Sequence, residues 1–596
     1  MRTMQVYRDP SSVADASKYL TKHLKFDWVV DFDSQTISGT TTLHMHRSSS
    51  GPENPPLLLD TNDLVINSVT VEGESVQWKI SPNKTKALGS QLEIVGLPSK
   101  TDFDVVIVHK TSPRAPALQW LEPGLTSDKR LPFMFSQCQA IHARSLFPCQ
   151  DSPGIKSSFE ASVTVPKDVV AVMSGILKQQ PVTSPRGSEW HVFEFEQTIP
   201  IPSYLVTIAC GDLASERVGP RSSVWAERSV VHRAANEFAE IEQMISAGEE
   251  LCGPYVWKKN GKPLPYFRSP TIIAGDRSLV NVIAHEIAHS WTGNLVTNSS
   301  WEHFWLNEGH TMYLERLIME RLHGSEMRQL SLAIGYAELM TEIDTLGADN
   351  PFTKLIPNLD GVDPDVSYNR IPYEKGSLFL YFLEHKFGKE KMMDWLKAYV
   401  KWFAGCAVDT PTWLEFLESH LGPAVKGEDM QLEKWFDGCG MPPWEPKFDA
   451  DRPIEQCEEL IKLFQSVTPT TDLQSKWEGI TSTQRELTLR RLNKQPPLPA
   501  ENLRIIDSML QLSKQNNAEI RCEWSLLCIR SRYLDALDSC FEFLNSQGRM
   551  RYTRPLYRAL NEWTEVRERV HANFRSCCPH MHRTTMMLVQ QDLGLT

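Results

Sequence analysis

Along the first 210 or so residues apolar and polar positions alternate with a period of two: TISGTTTLHMH (36–46), LVINSVTVEG (64–73), FEASVTVP (159–166), WHVFEFE (190–196) and YLVTIACG (204–211). That period puts successive side chains on opposite faces of an extended chain, so these segments predict half-buried strands. Turn clusters at Ser48 to Pro56 and Pro181 to Ser188 separate them, which predicts an antiparallel β domain. The period then changes. From Glu227 onward the spacing turns helical, with EFAEIEQMISAGEELCG ending near Gly253 and further helical segments around 278–293, 308–323 and 375–403. PPWEPKFDADRP, from Pro442 to Pro453, reads as a linker. Beyond it helix follows helix (503–514, 518–530, 532–546) with short polar connections, as in stacked helix pairs without a strict repeat.

Composition narrows the class. With 596 residues, 41% of them apolar and 23% charged, the chain can bury several cores and is neither low-complexity nor disordered. It carries 74 acidic against 62 basic residues, a formal charge of −12, and no long Lys/Arg run. That balance argues against nucleic acid or an anionic membrane as the main partner. The part from Arg452 to Thr596 reverses the sign, with 20 basic against 17 acidic residues, 16 of the basic ones Arg. No signal-peptide-like stretch and no apolar run of membrane-spanning length is evident, and the twelve cysteines show no CxxC pair. These features predict a cytoplasmic protein with reduced thiols and no membrane insertion.

The strongest chemical signal is His285-Glu286-Ile287-Ala288-His289, preceded by the apolar LVNVIA. Two His at i and i+4 leave one face of a helix about 40° apart, so both imidazoles can reach one zinc while the intervening Glu reaches a water on it. A third ligand stands nineteen residues after His289: Glu308, in WLNEGHTMYLERL. Two His and one carboxylate leave the fourth position open, which is the catalytic and not the structural zinc pattern. Glu315, two turns further along the same helical face, is placed either to orient a ligand from behind or to pair with Arg316 at the surface. The bland alternative for the whole set is a hydrogen-bonded His pair on an amphipathic helix.

HEIAHSWTGNLVTNSSWEHFWLNEGHTMYLERL resembles the zinc core of the gluzincin aminopeptidases. The wording around it (WTGNLVTN, PDVSYNRIPYEKG, QGRMRYTRPL) is most similar to the leukotriene A(4) hydrolase branch of that family, and the likeness runs from TKHLKFDWVVDF to the C-terminal helices. The resemblance implies a multidomain α+β fold: an N-terminal antiparallel β saddle (1–212), a thermolysin-like zinc catalytic domain (213–441), a linker (442–453) and an all-α superhelical domain (454–596), with the active site in a cleft between them. It implies one Zn2+ on His285, His289 and Glu308, Glu286 as general base, and Tyr373 as the phenol that stabilises an oxyanion. It further implies substrate contacts from Gln137 and Gln139, which would share one side of a strand, from Asp365 and Tyr368 in a lipid-epoxide site, and from Arg549 and Arg551 on a substrate carboxylate. The implied activities are removal of N-terminal residues from short peptides and hydrolysis of a fatty-acid epoxide, by a monomer.

One segment departs from the pattern. Upstream of its zinc helix the family carries a GxMEN motif whose Glu binds the substrate's free α-amino group. Here Gly253 to Ser278 reads GPYVWKKNGKPLPYFRSPTIIAGDRS, with no GxMEN there or elsewhere and about fourteen family positions absent between Trp257 and Ser269. A splice form or truncated gene model explains the gap more simply than a new function, and a catalytically impaired binding protein is the alternative to an active enzyme.

Overall fold

The computed structural model describes residues 8–48, 54–257, 280–466, 472–581 and 583–595; all but the first five residues of the segment that lacks GxMEN lie outside them. The strand rhythm of the N-terminal part is realised as a nine-stranded sheet. Its main path runs Ile176–Leu177, Gly187–Pro202, Lys156–Pro166, Tyr19–Asp31, Thr36–Arg47, Asp102–Lys110, Val65–Val71 and Glu74–Ser75, with Val182–Ser184 pairing beside Gly187–Pro202. A four-stranded sheet (Val170–Met173, Ile208–Gly211, Phe133–Ser136, Leu118–Leu121) and a three-stranded one (Leu57–Thr61, Ser90–Ile94, Trp78–Pro82) complete it.

The purely antiparallel expectation needs one correction. Tyr19–Asp31 and Lys156–Pro166 run parallel, from His23 opposite Ser158 to Val29 opposite Thr164. Neighbours joined by a hairpin must be antiparallel, but more than a hundred residues separate these two strands, so nothing local sets their direction. A second correction concerns Gln137 and Gln139. The strand Phe133–Ser136 stops before them, although burial still alternates, with Gln137 exposed, Cys138 buried and Gln139 half-buried.

From residue 231 the chain is mostly helical. The helix expected from Glu227 is two helices, Val231–Glu237 and Ile241–Cys252, the second capped by Gly253 as expected, and Ser223–Glu227 is a strand. The 375–403 stretch divides at Gly388, at φ +94°, into Ile371–Phe387 and Lys389–Phe403. The linker expected through Pro453 ends early, because the helix Asp451–Gln465 takes Asp451 and Pro453 into its first turn, where a proline's missing N–H costs nothing. Helices then alternate to Arg583–Asp592. None of the twelve cysteines is in a disulfide, and among the described residues no helix is long and apolar enough to cross a membrane.

Two large cores result. One runs without interruption from Tyr19 to Phe436, joining the β sheets to the helices that follow them. The other runs from Leu460 to Leu593 within the C-terminal helices. A small cluster of Leu330, Cys457 and Leu487 touches between the catalytic and C-terminal helices.

Candidate active site

His285 and Glu286 lie on the helix Val280–Ala288, and His289 follows at its end. Glu308 and Glu315 lie on Trp305–His323, and Tyr373 in the first turn of Ile371–Phe387. The last two helices cross with their backbones almost touching at Gly309 and Gly376, where a Cβ on Gly309 would stand 2.8 Å from the Gly376 Cα. Any larger residue at that crossing would push Glu308 away from Tyr373.

The ligand atoms of His285, His289 and Glu308 lie within 4.8 Å of one another, and no other such group of His, Cys, Asp and Glu occurs among the described residues. Glu308 Oε2 is 3.3 Å from His285 Nε2 and 3.4 Å from His289 Nε2. On their other sides the two rings face acceptors. His285 Nδ1 is 3.0 Å from Glu315 Oε2, and His289 Nδ1 is 3.1 Å from the Thr292 carbonyl. A carboxylate and a carbonyl can only accept, so each Nδ1 must carry the proton, which leaves each neutral ring with its lone pair at Nε2. Three lone-pair atoms therefore converge on one point, and Glu308 Oε2 is buried there without a hydrogen-bond donor. Such a set calls for a cation, and its chemistry fits Zn2+.

Ionisation carries the same message. Burial alone would lower the pKa of His285, but the Glu308 and Glu315 carboxylates raise it to about 10. Burial would raise Glu308, but the His289 and His285 rings hold it down at about 2. The carboxylates therefore favour a positive charge at this point, either a proton on His285 or, with both rings neutral, a cation on the converging lone pairs.

The other expected residues have their own local partners. Glu286 is half-buried on the zinc helix. The Tyr373 ring stacks 6.1 Å from that of His285, and its hydroxyl donates to the Tyr368 hydroxyl at 3.0 Å; Tyr368 itself is 57% exposed. Asp365 sits in a short helical turn, Pro364–Ser367, and is bonded at 2.8 Å to His142 Nε2 of the N-terminal part. Arg549 caps the helix Met550–Glu562 and makes a long 3.5 Å bond to the Tyr552 hydroxyl. Arg551 is differently employed, at 3.1 Å from Glu519, 3.4 Å from Glu338 and 3.6 Å from Glu486.

Several residues that shape the site went unread in the sequence. The Thr292 carbonyl and the Thr311 hydroxyl, 3.1 Å from His289 Nδ1, set that ring. Gly293, at φ +112°, has no room for a Cβ, which would come 2.8 Å from His289 Nδ1. The Gly in WTGN was the available signal. His142 carried none, because its partner is 223 residues away.

Comparison with known proteins adds the following. Residues 20–205 match the Peptidase M1 N-terminal domain, 269–435 the Peptidase family M1 domain, and 480–593 the Leukotriene A4 hydrolase C-terminal model. Leukotriene A-4 hydrolase of Xenopus laevis is 39% identical over 610 residues, covering 99% of both chains. Leucine aminopeptidase 2 of Aspergillus niger is 34% identical over 612 residues and 98% of both. The solved structure of yeast LTA4 hydrolase in complex with bestatin superposes with a TM-score of 0.89 at 32% identity, covering 100% of this chain and 98% of that one.

Proposed function

The chain belongs to peptidase family M1, in its leukotriene A4 hydrolase branch, and is a zinc hydrolase; we propose that it removes N-terminal residues from short peptides and that the same cleft hydrolyses a fatty-acid epoxide. The observation that carries this is the convergence of two Nε2 atoms and the orphaned Glu308 oxygen on one point. His285, His289 and Glu308 would hold the zinc. Bound there, zinc supplies Lewis acidity toward a carbonyl or epoxide oxygen and lowers the pKa of a water toward about 7.

The chain's own groups do the rest. Glu286, one residue along from His285, takes the proton of the attacking water and returns it to the leaving amine. Tyr373 turns its one hydroxyl proton from Tyr368 to the oxyanion, a contact typically worth about 3 kcal/mol, and the Tyr368 hydroxyl can then donate back to it. Glu315 fixes the His285 tautomer, with its Oε2 at 3.0 Å from His285 Nδ1. Gln137 and Gln139 contact the substrate backbone. Asp365, held from behind by His142, positions water at the lipid end. Of the basic pair, Arg549 has donors to spare for a substrate carboxylate, while Arg551 is occupied by three glutamates. The names of the relatives point to N-terminal leucine as one substrate side chain. A monomer in the cytoplasm is the working state in this reading.

A specific observation favours a second reading beside it, an impaired enzyme. GxMEN is absent, and the likeness to the Xenopus relative runs over 610 positions, so at least fourteen of them face a gap in this 596-residue chain. Losing the anion that binds the substrate ammonium forfeits a few kcal/mol, and each 1.4 kcal/mol is about tenfold in rate.

One experiment tests both. Zinc stoichiometry and the hydrolysis of leucine and arginine amides are measured for the native chain, for Glu286→Gln, and for the chain with a GxMEN segment restored. One zinc per chain, loss of activity in Glu286→Gln and a gain of at least about a hundredfold on restoration are expected. Activity that survives Glu286→Gln would refute the assigned base, and equal rates with and without the segment would refute the impairment.

A further inference from the structure

Lys156 opens the strand Lys156–Pro166 and is only 4% exposed. Its ammonium donates to two successive backbone carbonyls, Asn294 at 3.1 Å and Leu295 at 2.9 Å, and no carboxylate pairs with it among the described residues. Burial pushes its pKa down to about 7. A methionine would fill the same volume without that electrostatic cost, so the charge needs a reason beyond packing.

The carbonyls it holds belong to the turn that follows His289. Inside the turn, the Asn294 N–H donates to the His289 carbonyl at 3.1 Å and the Gly293 N–H to the Val296 carbonyl at 2.7 Å. The Gly293 carbonyl accepts from the Thr297 hydroxyl at 2.7 Å and, at 3.4 Å, from the Tyr204 hydroxyl of the N-terminal part. Three consecutive carbonyls, 293 to 295, are thus gripped by side chains, and the N-terminal part supplies Lys156 and Tyr204. The next carbonyl upstream, Thr292, accepts the Nδ1 proton of His289. Without the ammonium, the Asn294 carbonyl keeps only a 3.3 Å hydroxyl contact from Thr297, and the Leu295 carbonyl keeps the Gly405 N–H at 2.9 Å, so among the described residues Lys156 is the one group that ties the two carbonyls to the N-terminal part.

We propose that Lys156 is a positioning residue for the zinc site: it clamps the turn after His289 from the neighbouring domain and so keeps the Thr292 carbonyl where it sets the His289 ring to present Nε2. The proposal rests on the reading of His289 as a zinc ligand. If that reading fails, the native chain does not hold one zinc, which is seen before any variant is compared.

The test uses the purified full chain loaded with one zinc, as native protein, Lys156→Met and Lys156→Gln. Zinc release into a colorimetric chelator is followed well below the melting temperature, with melting curves of loaded and metal-free forms and the kcat and KM for a leucine amide alongside. Groups behind a metal ligand typically cost 10-fold or more in metal affinity when removed, so Lys156→Met should release zinc about tenfold faster and lose kcat with KM held. Lys156→Gln, which keeps N–H donors on a shorter side chain, should fall between, and it carries the test if the methionine variant does not fold. Zinc release at the native rate from either folded variant, with only the melting temperature lowered, would overturn the proposal and leave Lys156 a structural latch.

Discussion

The catalytic helices meet the rest of the molecule along two seams built on opposite principles. Toward the β sheets the core continues unbroken, with Tyr204 packed edge-on against Trp301 at 5.2 Å. Its few polar crossings are directed ones, such as Lys156 to the turn carbonyls and His142 to Asp365. Toward the C-terminal helices the apolar contact is a small cluster, and the seam is mostly ionic. Glu338, on Ser325–Leu346, faces Arg490 on Ser482–Leu492, Arg551 on Met550–Glu562, and Arg370, which also pulls on it from 3.7 Å. Burial would raise the Glu338 carboxyl, but Arg370, Arg490 and Arg551 together hold it well below the ordinary range. Burial raises Glu486, and Glu519 and Glu338 add to it against the pull of Arg490 and Arg551. An apolar seam stabilises without regard to geometry or salt, whereas a buried ionic one stabilises little net but punishes the loss of any one member. In the proposed reading the first seam steadies the turn behind His289, and the second holds the arginine pair of the cleft.

The largest effect should come from breaking the first seam. Tyr204→Ala removes a buried ring and should cost about 3–5 kcal/mol in denaturant unfolding, with the β sheets and catalytic helices still losing structure together. A cost under about 1 kcal/mol would mean that the shared core does not act as one. Next, Arg490→Met takes the shared cation from Glu338, Glu486 and Glu523, leaving Arg551 and Arg370 to hold the first two; because the arginine is about one-fifth exposed its cost should be about 2–3 kcal/mol, below the fully buried case. The C-terminal helices should then melt ahead of the remainder, seen as a second calorimetric transition, and a single transition would count against the division.

The smallest effect is a titration at the first seam. Burial lowers the His142 pKa, but the Asp365 hydrogen bond and charge raise it above the usual imidazole value. A folded pKa above the unfolded one gives stability that is complete below about pH 6.5 and fades as pH rises through the folded value. For this part-buried pair about 1 kcal/mol is at stake, and His142→Gln should flatten that limb of the stability–pH curve. An unaltered limb would remove the pair from the account of the seam.

What the sequence disclosed and what it hid divide along the same physical line. Local periodicity located most strands and helices, and HExxH with its downstream Glu named three side chains that do converge. Those signals lie within about two dozen residues of one another. The parallel pairing of Tyr19–Asp31 with Lys156–Pro166, the three glutamates around Arg551 and the His142–Asp365 bond depend on partners remote in sequence, which no spacing encodes. The acceptor for His289 is a backbone carbonyl, present at every residue and so invisible as a motif. Gln137 and Gln139 misled for a related reason, since alternation of burial continues past the end of a strand.

The two histidines also differ in what stands behind them. A carboxylate backs His285 and a neutral carbonyl backs His289. A ring that shares its Nδ1 proton with an anion carries more electron density at Nε2 than one bonded to an amide oxygen. The pair is therefore electronically lopsided, with His285 the stronger donor and His289 the more readily displaced. A metal leaving this site would let go of His289 first, and the bond that yields first is the one whose support is borrowed from another domain.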